Sequence, residues 1–336
     1  MPSGERRGTL QRWCGFHPAV SNGSAWELGV GSWELSPRPT RREFTTAIAL
    51  AVASAASPAF AAQKPRPRKL LCGHTGITWG FRPEDAERAI ADVASLGFHG
   101  YESFGNVLEA WEAKGGLDKL LQNAKLPLRS AYCPVNLTDP AIRKDETAKL
   151  VRWGQLIKKC GGSVAVIGPN NVKRPDYVFA DHKTHIVEAL NDMCRALDDI
   201  GVVGALHQHT GTCVETREET YAVMEAVNTR YVKFGPDVGQ LQKGGSDPVK
   251  VVKDFLPTIR HVHMKDYDGG EHYLGYTPLG LGKVDIAGLC DLLESSGNDL
   301  MIMAELDPSK GQPHTPLDAA RINKETLQKL GYSFRV

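Results

Sequence analysis

Among its 7 cysteines the sequence has no Cys-x-x-Cys pair, which removes zinc ribbons and thioredoxin-like redox motifs. A chain of 336 residues also has no need of a disulfide framework to build a core. It lacks both G-x-G-x-x-G and G-x-x-x-x-G-K-[ST], the glycine-rich turns that open doubly wound sheets place around phosphates. It lacks a charge excess: 40 Lys and Arg face 39 Asp and Glu, so no basic field is present and no nucleic-acid partner is expected. Long strongly apolar runs are missing too. The one extended uncharged stretch, residues 45–62, is Ala-rich and holds Ser, Thr and Pro58. It falls short of the roughly 20 strongly apolar residues that span a bilayer, so no stable membrane insertion is expected. What is present, 41% hydrophobic and 24% charged residues, is the composition of a globular chain with a large core and a small-molecule site.

The flanks of that stretch read as a processed leader. Arg41-Arg42-Glu43-Phe44 precedes it, and Ala59-Phe60-Ala61 offers small residues for cleavage before Ala62. Residues 39–61 therefore read as a twin-arginine signal, and the protein as exported to a bacterial periplasm. Residues 1–38 show no periodicity and stay unassigned. Residues 62–69 read as a linker, extended where proline disfavours helix, with one folded domain over residues 70–334.

From Leu70 onward short apolar runs alternate with amphipathic segments. Strands are expected at 71–79, 98–103, 127–133, 163–168, 202–208, 231–237, 259–265 and 300–306. Helices are expected between and after them, at 83–96, 107–124, 140–160, 181–200, 216–228, 247–256, 286–296 and 315–330. Eight such units in about 265 residues fit the α/β class as a single-domain (β/α)8 TIM barrel, whose usual size is about 250 residues.

Catalytic side chains in such barrels project from the C-terminal ends of the strands. The first four expected ends carry Thr78-Trp79, Glu102, Tyr132 and Asn170-Asn171. The last four are richer: His207-Gln208-His209, Asp237, the run His261 to Asp266, and Glu305. His207 and His209 share a strand face, as do His261, His263 and Lys265. Imidazole beside carboxylate suits a divalent transition metal or zinc better than Ca²⁺ or Mg²⁺. Trp79, Glu102 and Tyr132 are candidates for either pocket lining or packing.

The sequence His207-Gln-His-Thr-Gly-Thr-Cys-Val-Glu215 joins Gly235-Pro-Asp-Val-Gly-Gln240 and the Gly-Gly-Ser-Asp-Pro248 that follows. With His261-Val-His-Met-Lys-Asp266 and Ala304-Glu305, the set resembles the inosose dehydratase group of the xylose-isomerase-like barrels. The resemblance implies one divalent metal, Mn²⁺ or Co²⁺ with Zn²⁺ as the alternative, held by His207, Asp237, His263 and Glu305. It implies His209 and Lys265 as acid–base residues. Trp79, Glu102, Tyr132, Glu215 and Gln240 are then expected at the substrate. Many relatives carry Glu at the position of His207, which leaves Glu215 open as the strand-5 ligand, and His at the position of Gln240.

The implied chemistry is α-proton abstraction and β-elimination beside the carbonyl of a keto-sugar, 3-keto-glycoside or inosose. A metal-dependent isomerase or epimerase, and a sugar-binding barrel without activity, are the alternatives. The partner is a small sugar or cyclitol; dimers and tetramers among relatives leave a homo-oligomer open. Lys265 is expected to be shifted down by the adjacent cation and held by Asp266. The glycine-rich segment Tyr267 to Lys283 is expected over the pocket.

Overall fold

The computed structural model describes residues 67–336; the expected leader, the extension before it and the first part of the linker lie outside the described residues. Eight parallel strands form one sheet: β1 Leu71–Thr75, β2 Gly100–Phe104, β3 Leu128–Val135, β4 Val164–Pro169, β5 Val203–Leu206, β6 Val232–Phe234, β7 Val262–Met264 and β8 Met301–Ala304. Each of β1 to β6 pairs with its sequence neighbour, and β8 lies between β1 and β7. Single parallel bridges, Phe234 to Ile259 and Asp237 to His263, join β6 to β7 and close the ring. Among the described residues no helix is long and apolar enough to cross a membrane.

The period-two alternation of the strands separates two layers. Ala165, Ile167 and Leu206 belong to the main apolar core with the surrounding helices. Their neighbours Val164, Val166 and Ala205 form a separate cluster with Tyr132 and Val203. His207 continues the Val203–Ala205 parity, so it emerges on the inner face. The same parity carries His261, His263 and Lys265 on and around β7, and Met301, Met303 and Glu305 on β8.

The helices depart from expectation in three places. The segment expected as one helix over 107–124 is two, Gly105–Glu112 and Asp118–Asn123, because Gly115 and Gly116 take φ values of +97° and +91°. The helix expected over 216–228 ends at Met224. An additional helix, Val238–Lys243, starts directly after Asp237, whose side chain caps it. At the C-terminal end of the first strand, β1 stops at Thr75 rather than running to residue 79, and Gly76–Thr78 form a 3-10 turn.

Candidate metal centre

The ends of β5, β6, β7 and β8 bring His207, Asp237, His263 and Glu305 together. His207 Nδ1 lies 3.0 Å from the carbonyl oxygen of Gly235. A carbonyl only accepts, so Nδ1 carries the proton and Nε2 keeps its lone pair. That nitrogen faces Asp237 Oδ2 at 3.9 Å. Asp237 spends its other oxygen on the helix it begins, where Oδ1 accepts the Gln240 N–H at 2.9 Å. His263 stands between two carboxylates, with Nδ1 2.8 Å from Glu305 Oε2 and Nε2 2.8 Å from Glu102 Oε1. Lys265 Nζ lies 2.5 Å from Glu305 Oε1 and 2.9 Å from both Asp237 Oδ2 and Asp307 Oδ2.

All of these groups except Asp307 are buried. Burial raises the Asp237 carboxyl, only partly offset by the Lys265 ammonium. Burial also works against Glu305, yet His263 and Lys265 beside it hold it well below the usual carboxylate range. The His207 imidazole is pushed well down by burial and by His263. His263 and Lys265 go the other way: burial opposes their charge, but Glu102 and Glu305 raise the imidazole, and Asp237, Asp307 and Glu305 raise the amine. Lys265 is thus an ammonium held by three carboxylates in the metal-free protein; the lowering expected from sequence belongs to the state with a cation bound.

These donors fit a divalent cation. His207, Asp237 and His263 each offer an atom within 4.8 Å of the others. Asp237 Oδ2 and both His263 ring nitrogens are buried without a well-aligned hydrogen bond among the described residues. Buried polar atoms left this way are costly unless something else engages them. Two imidazoles with two carboxylates form the mixed nitrogen–oxygen set that transition metals and zinc accept.

His209 sits beside this cluster. Its Nδ1 lies 2.7 Å from the Thr210 carbonyl oxygen, so that nitrogen donates. Its Nε2 faces the Gln240 side-chain nitrogen at 2.7 Å. Gln240 Oε1 accepts from both the Thr210 hydroxyl, at 2.6 Å, and the Thr210 N–H, at 3.2 Å. Gln240 therefore presents an N–H to His209, and Nε2 is the accepting nitrogen of a neutral ring.

A cavity enclosing about 470 Å³, including its open mouth, lies over the cluster. His207, His209, His263 and Glu305 form one side of its lining, and Thr75, Ile77, Phe104 and Tyr132 contribute to the rest. Tyr132 meets the His207 ring edge-on at 5.6 Å. Glu102 and Asp307 also reach it.

Other expected residues lie elsewhere. Trp79 does not line the cavity; past the 3-10 turn it points its Nε1–H at Asp92 Oδ2, 2.8 Å away. Glu215 is drawn off by Arg174, 3.3 Å away, and by the Gly211 N–H at 2.6 Å, so it joins neither the metal donors nor the lining. Gln240 lies behind His209. Lys265 is fully buried behind Glu305 and Asp307 rather than open to the cavity. Asp266 does not hold it: its carboxylate accepts the N–H groups of Tyr267, Gly280, Gly282 and Val284, fastening the glycine-rich segment.

Two residues escaped the sequence reading. Asp307 follows Glu305 by two and shares its strand face, a signal that was available. Thr75 lines the cavity with a buried hydroxyl that has no hydrogen-bond partner among the described residues.

Residues 90–330 match the family described as the xylose isomerase-like TIM barrel. The chain belongs to that family. Among curated relatives, an inosose dehydratase from Clostridium botulinum is 28% identical over 255 residues, which is 68% of this chain and 84% of the relative. Among solved structures, the IOLI protein with a bound zinc atom aligns with a TM-score of 0.64 at 18% identity, over 78% of this chain and 98% of that one. The 3-keto-D-glucoside 4-epimerase YcjR from E. coli aligns with a TM-score of 0.60 at 16% identity, over 78% and 99%. At these identities the solved structures speak for the fold. Within this family the cluster marks a metal-site candidate of a sugar isomerase or dehydratase type of enzyme.

Proposed function

We propose that the protein is a divalent-metal-dependent lyase that eliminates water or another β-leaving group beside the carbonyl of a keto-sugar, 3-keto-glycoside or inosose. The observation that carries this reading is the presence, past the ends of β5 and β7 on either side of β6, of a neutral His209 and of Lys265 held as an ammonium. Elimination needs such a base and such an acid.

His207, Asp237, His263 and Glu305 would hold the cation, Mn²⁺ or Co²⁺ in preference to Zn²⁺. When bound, it supplies Lewis acidity to the substrate carbonyl and so acidifies the adjoining C–H. His209 takes that proton on Nε2, exchanging the Gln240 N–H for it, while the Thr210 carbonyl steadies the ring through Nδ1–H. The C–O bond β to the carbonyl then breaks. Lys265 supplies the proton for the leaving oxygen through Asp307, which it touches at 2.9 Å and which lines the cavity. The buried, unpartnered Thr75 hydroxyl suits a substrate hydroxyl.

A metal-dependent epimerase is the second reading. It requires a proton donor on the substrate face opposite His209, and Glu215, the residue best placed in sequence for that task, is engaged with Arg174. We also propose that residues 39–61 direct export to the periplasm, which favours unphosphorylated substrates.

The test is a substrate panel of inososes, 3-keto-glycosides and ketoses, offered to protein stripped of metal and reloaded with Mn²⁺, Co²⁺ or Zn²⁺. Products are read by mass spectrometry, with a His209→Ala/Lys265→Ala double variant as control. Metal-dependent loss of water or release of an aglycone, absent in the control, supports the lyase. Neither turnover nor metal retention leaves a binding barrel and ends the proposal.

A further inference from the structure

We infer that Glu102 is a positioning residue for the metal ligand His263, and not the substrate contact that its place at a strand end suggests. The inference rests on the metal-site reading above. His263 can offer a lone pair to a cation only from the nitrogen that carries no proton. Nδ1 faces Glu305, the neighbouring donor of the candidate site, at 2.8 Å. The ring proton then belongs on Nε2, and the carboxylate beside that nitrogen is Glu102, with Oε1 at 2.8 Å. A carboxylate accepting from the far nitrogen of a ligating histidine fixes the tautomer, the ring orientation and the basicity of the ligand.

Glu102 is itself held for this task. It is buried in β2, and its Oε2 accepts the Ser130 hydroxyl at 2.6 Å and lies 2.9 Å from His261 Nε2.

Glu102, His261 and His263 also bring donor atoms within 4.8 Å of one another, the makeup of a second cation site. Three features favour positioning over ligation. Ser130 already occupies the Glu102 oxygen that faces His261. His261, unlike Glu102 and His263, does not line the cavity. The gaps of 2.8 and 2.9 Å are hydrogen-bond lengths, although the approaches lie off the ring N–H axes in this structure.

The experiment measures metal stoichiometry and affinity for the full chain, by competition with a chelator for Zn²⁺ and by the visible spectrum of the Co²⁺ form. Wild type, Glu102→Gln and Ser130→Ala are compared, each with the melting temperature of its metal-free form. The expected result is one metal per chain in all three. Affinity falls about 10–100-fold in Glu102→Gln with an altered Co²⁺ spectrum, and falls less in Ser130→Ala, each read below the metal-free melting temperature of that form. Should Glu102→Gln fail to fold, the Ser130→Ala affinity and spectrum decide alone. Unchanged affinity and spectrum would overturn the inference and leave the metal site standing. Two metals in wild type and one in Glu102→Gln would make Glu102 a ligand and also overturn it. No metal on wild type would overturn the metal reading and this inference together.

Discussion

Replacing Lys265 by Met tests the electrostatics of the centre where they are strongest. The ammonium is fully buried and lies within 2.9 Å of oxygens from Asp237, Glu305 and Asp307. Its removal leaves these carboxylates with no lysine to balance them. Breaking a buried ion pair from one side costs about 3–5 kcal/mol. For a domain of this size each kcal/mol lowers the melting temperature by roughly 2–4 °C, so metal-free Lys265→Met should melt roughly 6–20 °C below wild type. A divalent cation restores the missing positive charge, so saturating Mn²⁺ or Zn²⁺ should raise the melting temperature of the variant more than that of wild type. The sign with pH also follows. The folded-state pKa of Lys265 is raised, so its stabilisation is fully present below its ordinary value of 10.5 and is lost only as pH rises through the higher folded value. The gap between variant and wild type should therefore be level from neutral pH to about 10 on this account. Circular-dichroism melts of chelator-treated protein, with and without metal, read all three. A metal-free variant melting with wild type, or one that metal does not help, would refute the reasoning.

Further variants separate roles that overlap in the structure. Asp237→Asn keeps an oxygen for the Gln240 N–H and should lose metal with little change in metal-free stability, whereas Asp237→Ala should lose metal and about 1 kcal/mol of helix capping; calorimetric metal titration and urea melts distinguish them. Glu215→Gln should leave metal affinity unchanged, because Glu215 is paired with Arg174; weakened binding would restore it as the strand-5 ligand. Burial holds the His74 imidazole down at about 4, with Nδ1 on the Thr75 carbonyl and Nε2 facing the Asn323 amide. The unfolded chain takes up that proton first, so stability falls as pH drops from the ordinary value near 6.5 toward the folded one, by about 3 kcal/mol at pH 4. His74→Asn should flatten that part of the urea-midpoint profile.

The barrel, and the gathering of His, Asp and Glu at its later strand ends, were legible because both are written in short-range pattern. Period-two alternation put His207 and His209 on one face of their strand, and His263 and Lys265 on one face of theirs, and the spacing of apolar runs predicted eight parallel strands. What pattern could not show was which partner each side chain meets across the barrel. Glu102 and His263 lie on non-adjacent strands, and no local signal links them. Glu215 shared a motif with His207, but Arg174, from the loop after β4, draws it away. Trp79 read as a strand end because nothing in the apolar run revealed the 3-10 turn that redirects it toward Asp92. The three carboxylates around Lys265, from the segments after β6 and β8, were likewise out of reach of local pattern, and in the metal-free protein they raise its amine.

The central claim is elimination at a carbonyl by His209 in a metal-loaded barrel. Its most direct test is the reaction of Mn²⁺-reloaded protein with a 3-keto-glycoside in deuterated water, followed by mass spectrometry of substrate and product. The account predicts an unsaturated keto product lacking the leaving group, formed with metal and lost on His209→Ala. Recovery of a sugar of unchanged composition that has taken up solvent deuterium, with no leaving group released, would contradict it in favour of an epimerase.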